Sequence, residues 1–137
     1  MDRVINSSKY WFLNNLNYSP NKLEIRIIEG MIGDGGTGRR QGPTVDVPSW
    51  PVEITEKSKI VDILFRNVST FECHEGVSAR PDKNGEPSYK SFRELKKSEF
   101  LDRNGALFKN RRHYAVYTEF MTIDVLSEYP PVVIQEK

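Results

Sequence analysis

The stretch KIVDILFRNVSTFECHEG, residues 59 to 76, holds the densest run of apolar residues in the chain. Val61, Ile63 and Phe65 stand at alternate positions, and Ile60 and Leu64 stand between them. Apolar residues on both faces of an alternating run are the pattern of a central strand covered on each side. Asn67 and Ser69 interrupt the run, and Phe71 and Cys73 then continue its parity. The segment reads as one long bent strand or as two strands meeting near Asn67.

Further strands lie on both sides of it. In LEIRIIEG (23–30), Leu23, Ile25 and Ile27 alternate with Glu24 and Arg26, the period of a half-buried strand. NYSPN (17–21) before it is a turn by composition. Residues 4–16 become aromatic at Tyr10, Trp11 and Phe12, as an edge strand or a short helix would. VEIT (52–55) is a short strand candidate. HYAVYTEF (113–120) sets Tyr114, Val116 and Phe120 against His113, Ala115, Tyr117 and Glu119. The apolar parity then flips to Ile123 and Val125, which requires a bulge or turn near Met121. The tail SEYPPVVIQEK ends the domain, with Pro130-Pro131 closing off the last good strand.

One helix is expected at 88–101, where Tyr89, Phe92, Leu95 and Glu99 fall at helical spacing with lysines opposite. Asn104-Gly105 follows as its stop. RPDKNGEPS (80–88), with two prolines and Asn84-Gly85, reads as a surface loop. Residues 30–51 hold six glycines and then Pro43, Pro48 and Pro51, a Gly/Pro-rich loop insertion. The fold expected is therefore α+β: one domain over 1–137, a largely antiparallel sheet open to strong curvature, and one helix near 88–101.

Composition narrows the function classes. With 137 residues, 37% hydrophobic and 28% charged, the chain is long enough to bury a core without metals or disulfides. A net charge of +1 lacks the basic excess of a protein that wraps nucleic acid. The lone Cys73 excludes an intramolecular disulfide and a cysteine-based zinc knuckle, which suits a reducing compartment. The N-terminal sequence does not read as a secretory signal, and no run approaches the roughly 18 apolar residues of a membrane span. A cytoplasmic location with no membrane partner is expected.

The glycine loop GDGGTGRRQG (33–42) is the first chemical lead. Gly33 and Gly38 have the spacing of a phosphate-binding loop, and Gly33, Gly35 and Gly38 match a dinucleotide pattern formally. Arg39 and Arg40 stand where lysine and a hydroxyl are needed, and the prolines that follow prevent the helix N-terminus that would face phosphate. The arginines remain candidates for contact with an acidic partner.

Other leads are thinner. Cys73 and His74 are adjacent, so on a strand they point apart and form no dyad; a buried structural cysteine is the expectation. His113 with Glu119 or Asp124 supplies metal-ligand types without a recognised spacing, so no metal and no cofactor is assigned. Asp62, Glu119 and Asp124 are acids without a sequence reason to converge, so no catalytic residue is assigned. KNRRHY (109–114) could meet RNA phosphates, but Tyr114 and Tyr117 differ in parity and make no single stacking platform.

The order strand, loop, strand, helix-like segment and HYAVYTEFMTIDVLSEYPPVV resembles that of small uncharacterised bacterial β-rich proteins of the immunity type, from polymorphic toxin systems. The likeness covers the second half of the chain and its first clear strand, and leaves the glycine loop outside as an insertion. It implies a non-enzymatic protein-binding module that occludes a cognate toxin stoichiometrically. It carries no functional residues across. By residue type, Arg39, Arg40, Trp50, Arg111, Arg112 and Tyr117 are the partner-binding candidates. The alternatives are a nucleotide- or phosphate-binding enzyme using 33–42 and an RNA-binding module using 109–113.

Overall fold

The computed structural model describes residues 2–8, 10–32, 52–75, 80–81, 87–88, 91–105 and 110–137. Two antiparallel four-stranded sheets dominate them. The first is ordered β1 (Trp11–Ser19), β2 (Lys22–Glu29), β5 (Ile60–Arg66) and β12 (Val132–Gln135). The second is ordered β6 (Val68–Glu75), β11 (Met121–Ser127), β10 (Arg112–Tyr117) and β9 (Phe92–Leu95). Two-residue ladders join β3 (Met31–Ile32) to β4 (Val52–Glu53) and β7 (Arg80–Pro81) to β8 (Pro87–Ser88). Helix is confined to α1 (Asp2–Ile5) and α2 (Glu99–Asn104) among the described residues.

The alternating residues put the core between the sheets. Leu23, Ile25 and Ile27 of β2 and Val61, Ile63 and Phe65 of β5 are fully buried. They form one cluster with Phe92, Tyr114, Val116, Ile123 and Val125 of the second sheet. The Phe65 and Tyr114 rings meet across the interface at 5.7 Å, and Phe92 stacks on Tyr114 at 5.8 Å. Burying each such side chain contributes about 1.5–3 kcal/mol, so this interface holds the sheets together.

The stretch 59–76 resolves into two strands that belong to different sheets. Asn67 alone separates β5 from β6, with φ 54° in the left-handed region. Asparagine tolerates that conformation better than other residues with a side chain, so one residue turns the corner. Its amide also donates to Glu128 Oε2 at 3.0 Å. The NYSPN turn is tighter than its composition indicates, because Ser19 pairs directly with Lys22. Pro20 and Asn21 (φ 65°) fill the two corner positions, proline preceding a residue of positive φ as in a type II turn.

The parity flip near Met121 is a hairpin turn. β10 ends at Tyr117, β11 begins at Met121, and Thr118 N–H donates to the Met121 carbonyl at 2.8 Å.

Two expectations are corrected. No helix spans 88–101: Phe92–Leu95 is strand, and the helix is the six residues that follow. Phe92 and Leu95 at helical spacing mislead because Phe92 packs into the sandwich while Leu95 pairs with His113 on the opposite face. Asn104-Gly105 is nonetheless the stop, and Ser98 is the N-cap. The largely antiparallel sheet is as expected, but with so little helix the fold is β-rich and fits α+β only in part. β11 ends at Ser127, before Pro130-Pro131, but a further short strand, β12, follows the prolines and becomes an edge of the first sheet.

Candidate functional site

Residues that carry chemistry gather on the outer face of the second sheet, under α2. His113 and Asp124 lie on neighbouring strands one diagonal step apart, since His113 pairs with Leu126 and Ala115 with Asp124. His113 Nε2 meets Asp124 Oδ1 at 2.7 Å, and its Nδ1 meets Ser98 Oγ at 2.7 Å. The imidazole is 2% exposed, with the Phe100 ring packed 4.7 Å from it.

Glu72 pairs directly with Asp124 across β6 and β11, an arrangement in which like charges repel. His74 Nε2 sits between them, 3.0 Å from Asp124 Oδ2 and 3.4 Å from Glu72 Oε2. Arg103 of α2 donates to both Glu72 oxygens, at 3.2 and 3.1 Å.

Serine, histidine and aspartate in series is the composition of a nucleophilic relay. The geometry here serves attachment instead. Ser98 Oγ already accepts the Leu101 N–H at 3.0 Å as the cap of α2. With the ring proton on Nε2, His113 donates to Asp124 and accepts the Ser98 hydroxyl proton at Nδ1, so each polar atom along the line has a partner. Phe100 and the sheet enclose the ring. Together with Arg103–Glu72, this chain fixes the short helix to β10 and β6. Among the described residues no group of three or more His, Cys, Asp or Glu is arranged to hold a metal ion.

Cys73 is exposed at the end of β6, which corrects the expectation of a buried cysteine. Partial desolvation pushes its thiol up from the ordinary value, and the Asp124 carboxylate pushes it further. Both effects disfavour the thiolate, the reverse of an activated nucleophile. Cys73 pairs with Ile123 on the sandwich side while His74 faces Asp124, so the two do point apart.

The outer face of the first sheet has a different character. Among the described residues the chief helix contacts are α1 with β9 and α2 with β10, and neither is with this sheet. Glu24 and Val132 flank Leu64, and Arg26 and Ile134 flank Asp62, so these six side chains share the face. Val132 and Ile134 are 47% and 46% exposed. Arg26 grips Asp62 with two hydrogen bonds, at 2.7 and 2.9 Å. A hollow of about 370 Å³ opens among Asn15, Arg26, Asp62, Leu64 and Ile134. An apolar patch beside oriented charges results.

Of the residues expected to bind a partner, the described ones, Arg111, Arg112 and Tyr117, do not form one patch. Arg39, Arg40 and Trp50, with the rest of the 33–42 loop, lie outside the described residues. Arg111 is half-buried and engaged, donating from Nε to Ser69 Oγ at 2.9 Å and pairing with Glu128 at 3.2 Å. Arg112 is exposed at the start of β10. Its guanidinium lies close enough to the Tyr114 hydroxyl for each to perturb the other, yet that buried hydroxyl meets no partner of hydrogen-bond geometry. Arg111 and Arg112 line one hollow of about 340 Å³ with Lys96 and Leu101. Tyr117 is half-buried at the other end of the strand, roughly 17 Å away at the usual rise per residue. His113 is buried and Arg111 is paired, so the described part of 109–113 presents Arg112 rather than a continuous basic stripe.

The sequence reading did not anticipate Ser98, the meeting of His113 with Asp124, or the face around Leu64. The parity of His113 in HYAVY and of Asp124 in IDV placed each outward. Only the strand register brings them together.

No protein-family model matches this chain, and no curated protein or solved structure is significantly similar to it.

Proposed function

We propose that this chain is a non-enzymatic protein-binding module of the bacterial immunity type, acting in the cytoplasm by stoichiometric occlusion of a cognate toxin. The observation that supports this reading is the outer face of the first sheet, where, among the described residues, Val132 and Ile134 stand exposed beside Leu64. Leu64 of β5 with Val132 and Ile134 of the edge strand β12 give it an apolar strip, and Lys22, Glu24 and the Arg26–Asp62 pair on β2 and β5 border it. An exposed apolar strip bordered by oriented polar groups suits a protein–protein interface. Arg26 enters it pre-oriented by Asp62, so little side-chain entropy is lost on binding.

The resemblance in the order of elements gives the class of partner. The partner's active site or substrate path is covered, with no turnover by this chain. The test is co-expression with the toxin encoded by the adjoining reading frame. The wild type protects growth and co-purifies at one-to-one stoichiometry, and Leu64→Asp loses both while remaining folded. Growth arrest with the wild type, or full protection by Leu64→Asp, contradicts the proposal.

A further inference from the structure

Four strands form the edges of the two large sheets: β1, β12, β6 and β9. An open edge presents unpaired backbone groups to any passing strand, and proteins usually blunt it with bulges, charges or covering groups. Three of these edges are blunted. β1 carries a register shift between Leu13 and Asn15, and its Trp11 carbonyl accepts the Glu119 N–H at 2.8 Å. β6 carries Glu72, His74 and Glu75. β9 carries Arg93 and Glu94, and the Asn6 side-chain amide engages both backbone groups of Phe92, at 3.1 and 2.9 Å.

Among the described residues β12 has none of these devices. Its sequence, Val132-Val133-Ile134-Gln135, holds no charge, and its register with β5 is regular. Glu136 N–H donates to the Ile60 carbonyl at 2.8 Å, so by antiparallel alternation Ile134 and Val132 also bond inward. The N–H and C=O groups of Val133 and Gln135 therefore point away from the sheet.

We infer that β12 is the pairing edge of a homodimer, in which two copies of this chain align it antiparallel about a two-fold axis at Ile134. In that register Val133 of each copy exchanges both hydrogen bonds with Gln135 of the other. Four bonds form, and every outward group of Val133 and Gln135 is used. Ile134 faces its own counterpart in the non-hydrogen-bonded pair, the position of closest side-chain approach. Pro130-Pro131 has no N–H to offer, which disfavours registers displaced towards the start of the strand. A net charge of +1 opposes association of two copies very little. The two first sheets become one continuous eight-stranded sheet, which joins two copies of the Leu64 face and leaves both open. The inference thus goes beyond partner binding and stands apart from it.

Sedimentation across a concentration series tests it on the full chain. The mass rises with concentration from 15.8 kDa towards twice that value. Gln135→Pro removes only an outward N–H, leaves the β5 ladder intact, and holds the chain at monomer mass. Ile134→Lys and Ile134→Glu are each monomeric, and mixing them restores the dimer because the two side chains face each other at the axis. Unchanged thermal melting of the single variants shows that they fold. A wild type that stays monomeric at every concentration overturns the inference, as does a dimer that persists in Gln135→Pro or a Lys/Glu mixture that fails to associate. Toxin binding by monomeric Gln135→Pro is read separately, so either proposal can fail alone.

Discussion

His113 Nε2 lies 2.7 Å from Asp124 Oδ1, across the β10–β11 pair and beneath α2. This contact, with Ser98 on the other ring nitrogen, ties a six-residue helix to a sheet. A helix of that length is not stable alone in water. Replacing His113 with Ala opens a cavity and removes one partner each from the Ser98 hydroxyl and the half-buried Asp124, which keep Leu101 N–H and His74, at a cost of about 2–4 kcal/mol. Ser98→Ala removes the cap and costs about 1 kcal/mol. Urea denaturation measures both. A His113→Ala protein as stable as the wild type would show that the contact does not hold α2.

Asn67 turns the chain between the two sheets at φ 54°. A β-branched residue is strained there, so Asn67→Val lowers stability by about 1–2 kcal/mol. Asn67→Gly relieves the backbone but loses the bond to Glu128, and the two effects largely cancel. Thermal melts that rank Val level with Gly would contradict this account of the corner.

The hydrogen bonds from Arg26, aided by its charge and opposed by partial burial, hold the Asp62 carboxyl below its ordinary value of 3.8. The folded-state value is the lower one. The pair's contribution to stability is therefore fully present above the unfolded value and is lost as pH falls through the folded one. The contribution is small at neutral pH because the pair faces solvent. The melting-temperature gap between wild type and Asp62→Asn accordingly persists down to the ordinary carboxylate range and closes below it. A gap that closes well above pH 3.8 would assign the stability to another group.

Desolvation and the Asp124 carboxylate both raise the Cys73 thiol from its ordinary value of 9.0. Iodoacetamide alkylation of the folded protein should therefore show its pH midpoint above that value. Asp124→Asn brings the midpoint down. A midpoint below that of a free thiol would mark Cys73 as activated.

The strands were legible because alternation is local. Leu23, Ile25 and Ile27 announce their face without reference to any partner, as do Val61, Ile63 and Phe65. Asn67 was legible as an interruption, though its role in switching sheets was not. Residues 92–95 misled because Phe92 and Leu95 fit helical spacing, while tertiary contact with Tyr114 decided the segment. β12 was hidden by the prolines before it; four residues carry too little pattern to show a strand. The His113–Asp124 contact depends on the register of β10 against β11, which no single segment encodes. The face around Leu64 depends on the strand order β2-β5-β12, which no single segment encodes.

The central claim is that the Leu64 face of the first sheet binds a toxin. Titration calorimetry of this protein against the toxin from the adjoining reading frame tests it most directly, using wild type, Leu64→Asp and Arg26→Glu. The account predicts one-to-one binding by the wild type and a loss of about tenfold or more in affinity for each variant, as expected at central interface positions. Absence of wild-type binding, or equal affinity in all three proteins, would contradict it.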